Sequence, residues 1–407
     1  MNLLSSIRTR LYRAFRRLEM TNRSLRWGIA LVATLLILVA ATIVWRWYSS
    51  PERIYQNALT AISRQDWQST RKNIKTLENT PNWKDHAKLL RGAYCLHTGH
   101  ADEGLRVLMG IDFRGPLRQP ALLYSGECFY KLKALTEALR VFRQVLAEDP
   151  NCASAHRWVA AIYYDLGANS LAIPHLTRLA ALCPADFSPH RMLGLIASET
   201  LNHKIAAQHY REAMQRSPPD DLQTEIRFEL IQALTADLDY RGALDLLDAS
   251  KQTRGAVHVL RAKCYLGLGE HELAKTSLQL AEPDCLREAP FLSVSAELAA
   301  FHEQWVAVVE FASQALKFDP NNSEMQYMLA RAQLKLGHHE ESKRLTNQFL
   351  ETKKLRERLA ELTALADSQP KDAAVRDELK QICLTLGKPE LAQMWQVAAE
   401  SCRRAAE

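Results

Sequence analysis

The chain repeats itself every 34 residues. Prolines stand at Pro116, Pro150, Pro184 and Pro218, and the same step count returns at Pro320. Small residues recur at Gly92, Gly126, Ala160 and Gly194, and again at Gly104, Ala138, Ala172 and Ala206. Bulky residues recur at Leu108, Phe142, Leu176 and Tyr210. One period shared by four kinds of position marks an array in which each unit packs mainly on its neighbours. A length of 407 residues fits an array better than one core, because single cores stop growing near about 250–300 residues.

Residues 119–152 show what one repeat contains. Leu122, Ser125, Gly126 and Phe129 have the spacing of one helix, and Leu135, Ala138, Phe142 and Val145 that of a second, with a turn near Lys133. Gly126 and Ala138 let the two helices approach closely. Asp149–Pro150–Asn151 ends the second helix, since proline lacks an N–H and disfavours helix in the residue before it.

This pattern resembles the tetratricopeptide repeat (TPR) family. The resemblance implies an all-α fold, a right-handed superhelical solenoid of antiparallel helix pairs. Repeats start at 51, 85, 119, 153, 187, 221, 255, 289 and 323, so 51–352 holds nine of them. In the sixth, the helices fit better three residues later, with Leu230, Ile231, Leu234, Ala243 and Leu247. Between His338 and Gln369 there is no Gly or Pro. The second helix of the ninth repeat is therefore expected to run on through an extension and break at 353–370. A terminal capping repeat follows at 371–402. The stripe Leu355, Leu359, Leu362 and Leu365 suits a cap on the solenoid end, or alternatively a self-association helix.

The charge is uneven. The chain has 52 Lys and Arg against 46 Asp and Glu, and residues 1–26 alone hold seven Arg and one acid. The remainder is balanced, which does not favour the basic stripe of a nucleic-acid-binding protein. Residues 27–45, WGIALVATLLILVAATIVW, carry no charge. Their length is close to the roughly 20 residues that cross a bilayer as a helix. Trp27 and Trp45 bracket the run, and five arginines lie just upstream (Arg13, Arg16, Arg17, Arg23, Arg26) against Arg46 and Arg53 downstream. The positive-inside rule then makes 1–26 a basic cytoplasmic segment and places the repeats across an inner cell membrane. Two alternatives stay open: a cleaved signal peptide ending near Val39–Ala40–Ala41, and a mitochondrial presequence leading to the mitochondrial inner membrane. The five residues 46–50 reach about 17 Å when extended, so the first repeat begins at the membrane surface.

No motif for catalysis stands out. The chain has no Walker loop, GxGxxG, HExxH or CxxC, and no cofactor or metal is expected. Cys95, Cys264 and Cys383 share one inward repeat position and read as small core filler. Cys152 and Cys183 sit in adjacent loops and could pair in an oxidising compartment.

What remains is a surface. The resemblance implies a groove lined by the first helix of each repeat, there holding Tyr130, Arg157, Tyr164, Arg191, Tyr327 and Arg331. Tyr and Arg are enriched where proteins bind one another, and Arg can bind a carboxylate through two parallel bonds. Alternatively, Arg157 and Arg191 pair with Glu127, Asp165 or Glu199 inside the stack. The asparagines by which some TPR proteins clamp a chaperone tail are missing, their sites being Leu59, Ala93, Glu127, Ala161 and Leu195. The expectation is a non-enzymatic, membrane-anchored scaffold for protein or peptide partners in assembly, secretion or envelope organisation. The alternatives are an accessory subunit or enzyme with a site in the groove, and a self-associating structural protein.

Overall fold

A computed structural model describes residues 31–37, 50–112, 115–249 and 255–404, with only the backbone at 283–284. Among the described residues the secondary structure is helical, with no strand. Of the expected span at 27–45, only 31–37 is described, as helix; the rest lies outside the described residues. No described helix is long and apolar enough to cross a membrane. The contacts divide the chain into Met1–Ala121 and Leu122–Glu407.

The N-terminal part holds α1 (Pro51–Ser63), α2 (Trp67–Glu78), α3 (Lys84–His97) and α4 (Ala101–Leu108). Asp66 caps α2 by accepting from the Ser69 amide, meeting one of the donors a helix start leaves open. A Cβ on Gly92 would lie 2.4 Å from Leu108 Cγ. That is the physical content of the 34-residue pattern: the small residue on the first helix is where the bulky residue of the second comes to rest.

The C-terminal part repeats the arrangement. Its helices are α5 (Arg118–Lys131, which crosses the boundary), α6 (Leu135–Glu148), α7 (Ala153–Asp165), α8 (Asn169–Leu182), α9 (Ser188–Glu199), α10 (His203–Gln215), α11 (Asp220–Ala236) and α12 (Tyr240–Ala249). They continue with α13 (Gly255–Gly267), α14 (His271–Cys285), α15 (Ala289–Phe301), α16 (Trp305–Phe318), α17 (Ser323–Lys335), α18 (His339–Ser368), α19 (Ala373–Thr385) and α20 (Pro389–Arg404). Phe142 and Tyr210 are 0% and 2% exposed, and their rings would lie 2.6 and 2.7 Å from a Cβ on Gly126 and Gly194. Cys152 and Cys183 are not bridged to each other, and Cys95, Cys264 and Cys383 are buried.

One backbone feature recurs in every repeat. The turn between first and second helix passes through a left-handed residue: Gln65, Gly99, Lys133, Gly167, Leu201, Leu238, Gly269, Glu303, Gly337 and Gly387. Glycine takes this conformation at no steric cost, whereas other residues strain to do so. In the sixth repeat the turn residue, Leu238, comes three positions late. The shifted register expected there holds for the core: Leu230, Ile231 and Leu234 are buried while Phe228, the in-step position, is exposed. α11 nevertheless starts in step at Asp220 and takes up the shift by being longer, 17 residues.

The last helices return to the start of this part. α18 runs unbroken for 30 residues, about 45 Å at 1.5 Å per residue. Leu362 on it is 1% exposed, so part of the leucine stripe packs within the chain. Asp367 at its end accepts from the Ser170 amide at 2.7 Å and so caps α8, whose own N-cap residue, Ala168, makes no side-chain bond. Arg376 on α19 is 0% exposed, and its Nη2 donates to the Leu166 carbonyl at 2.9 Å. Thr136 on α6 donates to the Ser401 carbonyl at 3.1 Å. The Trp395 ring, 3% exposed, lies 2.1 Å from where a Cβ on Gly167 would stand.

Candidate functional site: the face of the first helices

The groove positions of the middle repeats are already engaged. The Tyr130 hydroxyl on α5 donates to Asp165 Oδ2 on α7 at 2.7 Å. One repeat later the Tyr164 hydroxyl donates to Glu199. Arg191 on α9 reaches α11, with Nη2 at 2.8 Å from Glu225 Oε2 and 2.6 Å from Glu229 Oε1. Further on, Lys263 and Glu297 face each other at 3.7 Å. Each bond joins a first helix to the next first helix, 34 to 38 residues on. Arg157 pairs with Asp186 in the following loop.

Tyr130, Arg157, Tyr164 and Arg191 therefore stitch repeats together and are not an open cluster. Neither arginine pairs with Glu127, Asp165 or Glu199; their partners are Asp186, Glu225 and Glu229. The ladder also shifts proton affinities. Burial first, then the Asp165 charge, holds the Tyr130 phenol well above its usual range. Burial also raises the Asp165 carboxyl, against the lowering effect of the Tyr130 bond.

The ninth repeat differs. Tyr327, Arg331 and Lys335 stand four residues apart on one face of α17 and are exposed or half-exposed. Arg331 lies over the Trp305 ring at 5.3 Å and Lys335 at 5.9 Å, which holds both cations by the ring's negative face. Tyr327 meets Phe349 of α18 at 5.6 Å between ring centroids. Among the described residues neither cation makes an ion pair with an acid, in contrast to Arg191. The reason is local: α18 runs on past the usual stop, so the next first helix, α19, begins only at Ala373.

Sequence reasoning singled out Tyr327 and Arg331 but missed Lys335 and Trp305. The signal for Lys335 was its place on the same helical face. It also missed two histidine pairs, one repeat apart: His156 and His175 at 2.8 Å between Nδ1 atoms, His190 and His209 at 3.5 Å. His156 Nε2 faces the Pro150 carbonyl at 3.0 Å, and a carbonyl only accepts, so Nε2 carries the proton. A neutral His156 then accepts at Nδ1 from His175. Burial lowers the proton affinity of His175, His190 and His209. Among the described residues no group of three or more His, Cys, Asp or Glu side chains is placed to hold a metal ion.

A family model described as tetratricopeptide repeat matches residues 135–187, which run from α6 to the start of α9. Residues 135–187 are TPR-type helical repeats. No curated relative matches the chain. Among solved structures, the chain resembles the C-terminal part of a TPR repeat-containing protein from Cytophaga hutchinsonii, at 16% identity and a TM-score of 0.45, over 59% of this chain and 99% of that one. It also resembles PilF of Pseudomonas aeruginosa, at 19% identity and a TM-score of 0.39, over 52% and 97%. A third likeness is to the APC/C hetero-tetramer Cut9–Hcn1, at 12% identity and a TM-score of 0.41, over 88% and 84%.

Proposed function

We propose that this TPR protein is a non-enzymatic scaffold, anchored in a membrane by residues 27–45, that holds a partner protein on the exposed face of α17. The observation that carries the reading is the contrast between repeats. Groove positions of the third to fifth repeats spend their polar groups on their neighbours, whereas Tyr327, Arg331 and Lys335 keep theirs for another molecule.

The face has a readable chemistry. Side chains four residues apart on a helix stand about 5–6 Å from each other. Two carboxylates at alternate positions of an extended segment stand about 7 Å apart. An acidic, extended partner segment can thus meet Arg331 and Lys335 together, with an apolar neighbour against Tyr327 and Phe349. Cations already held on an aromatic ring lose less freedom when the partner docks.

The anchor rests on the sequence: a charge-free run between tryptophans, with arginines concentrated upstream. It places the repeats on the far side of the membrane from the N-terminus. A tether there raises the effective concentration of partner and scaffold with no new contact. The test is affinity capture of full-length protein from its own membranes, wild type beside Tyr327→Ala/Arg331→Ala and Tyr130→Phe. The reading expects one partner set lost in the first variant and kept in the second. Equal capture by all three contradicts it.

A further inference from the structure

We propose that the terminal repeat, α19 and α20, is a reversible strap that closes residues 135–404 into a circuit and, when released, lets the array change its curvature. The circuit is made by contacts between the two ends of the C-terminal part: Thr136 to Ser401, Leu166 to Arg376, Ser170 to Asp367, and Trp395 over Gly167. The helices between them pack in chain order, so the path returns to its beginning.

The closing junction is polar and incompletely satisfied. Arg376 is fully buried, and no acid pairs with it among the described residues. Its Nη atoms donate only to the carbonyls of Leu166, Ala366, Gln369 and Asp372, and its Nε has no partner. The Trp395 indole N–H on the strap is buried and unpartnered as well. On the receiving helices, Glu137 Oε2 of α6 and Asn169 Oδ1 of α8 are buried acceptors without a donor. Arg376 and Trp395 thus bring two unpartnered donors to the junction. Both regain water when it opens, so opening recovers solvation that closure forfeits. At two junctions between middle repeats, by contrast, Tyr130 pairs with Asp165 and Arg191 with Glu229.

Release has a mechanical consequence. The curvature of a solenoid is the sum of small rotations between neighbours. A closed circuit fixes that sum; an open one frees it. That a change of curvature alters partner capture at the exposed face of α17 is a second half of the proposal, and it rests on the reading given under Proposed function.

The experiment uses the full-length protein. Hydrogen exchange should show amides of 373–404 and of 169–172 opening in step, at least tenfold faster than those of α9 to α11. Asp367→Ala should speed both segments several-fold and leave 188–236 unchanged. The double variant Thr136→Cys, Ser401→Cys, once oxidised, should slow both, and reduction should restore them. Strap amides no faster than α9 to α11, or rates that Asp367→Ala leaves unaltered, would overturn the strap. Partner capture by the oxidised and reduced forms then tests the second half. Lower capture in the oxidised form, recovered on reduction, supports it, and equal capture overturns it. If neither form captures a partner, the scaffold reading fails while the exchange data still judge the strap.

Discussion

Tyr130 and Asp165 sit 35 residues apart and share a 2.7 Å hydrogen bond between successive first helices. Removing the hydroxyl by Tyr130→Phe leaves a half-buried carboxylate without its donor. The expected cost is about 1–3 kcal/mol. It should show as faster hydrogen exchange in α5 and α7, and Asp165→Asn in the same background should add much less than it costs alone. Full additivity of the two substitutions would mean that the pair is not coupled.

Gly126 and Gly194 are set by the rings of Phe142 and Tyr210. Gly126→Ala drives a methyl into the Phe142 ring, and overpacking of this kind costs about 1–3 kcal/mol. Phe142→Leu should recover part of that loss when combined with Gly126→Ala, although it is destabilising alone. Chemical denaturation of the four proteins measures both effects.

Leu201 occupies the left-handed turn position with its side chain 74% exposed. Little packing is lost on its removal, and the backbone strain is relieved. Leu201→Gly is expected to stabilise the fifth repeat by about 0.5–1 kcal/mol. A lowered melting temperature would show that the leucine makes a contact that matters more than the strain.

The histidine pairs make stability fall in mild acid. His175, His190 and His209 bind protons less readily folded than unfolded. Their contribution is whole above the ordinary imidazole value of 6.5 and is lost as pH falls below it, because the unfolded chain then takes up more protons. Melts from pH 8 to pH 5 should show the decline, and His175→Asn/His209→Asn should flatten it. Asp165 and Glu297 act with the opposite sign at lower pH, since burial makes the folded chain the better proton acceptor there.

The helix pairs were legible because steric demand recurs in the sequence: a small residue at 92, 126 and 194, and a large one 16 positions later, are two sides of one contact. The left-handed turn was only half legible. Glycine marks it at 99, 167, 269, 337 and 387, but Gln65, Lys133, Leu201, Leu238 and Glu303 fill it elsewhere, their strain being offset by the packing of the helices on either side. The fate of the groove residues was half legible: pairing of Arg157 and Arg191 inside the stack stood as an alternative, but their partners are Asp186, Glu225 and Glu229 and not the acids expected. Whether a tyrosine is open or bonded depends on which carboxylate the next repeat brings beside it, and Asp165 and Glu199 look like any surface acids in the sequence. The closure was hidden for a similar reason. Arg376 reads as a helix-surface arginine until Leu166, 210 residues away, supplies the carbonyl it binds.

The central claim is that α17 faces a partner while α5 and α7 face their own neighbours. Photo-crosslinking in intact membranes tests it most directly, with benzoylphenylalanine placed singly at Tyr327, Arg331, Tyr130 and Tyr164 of the full-length protein. The account predicts a discrete crosslinked partner from positions 327 and 331, and crosslinks only within the chain from 130 and 164. A partner captured from 130 and 164 with none from 327 and 331 would contradict it.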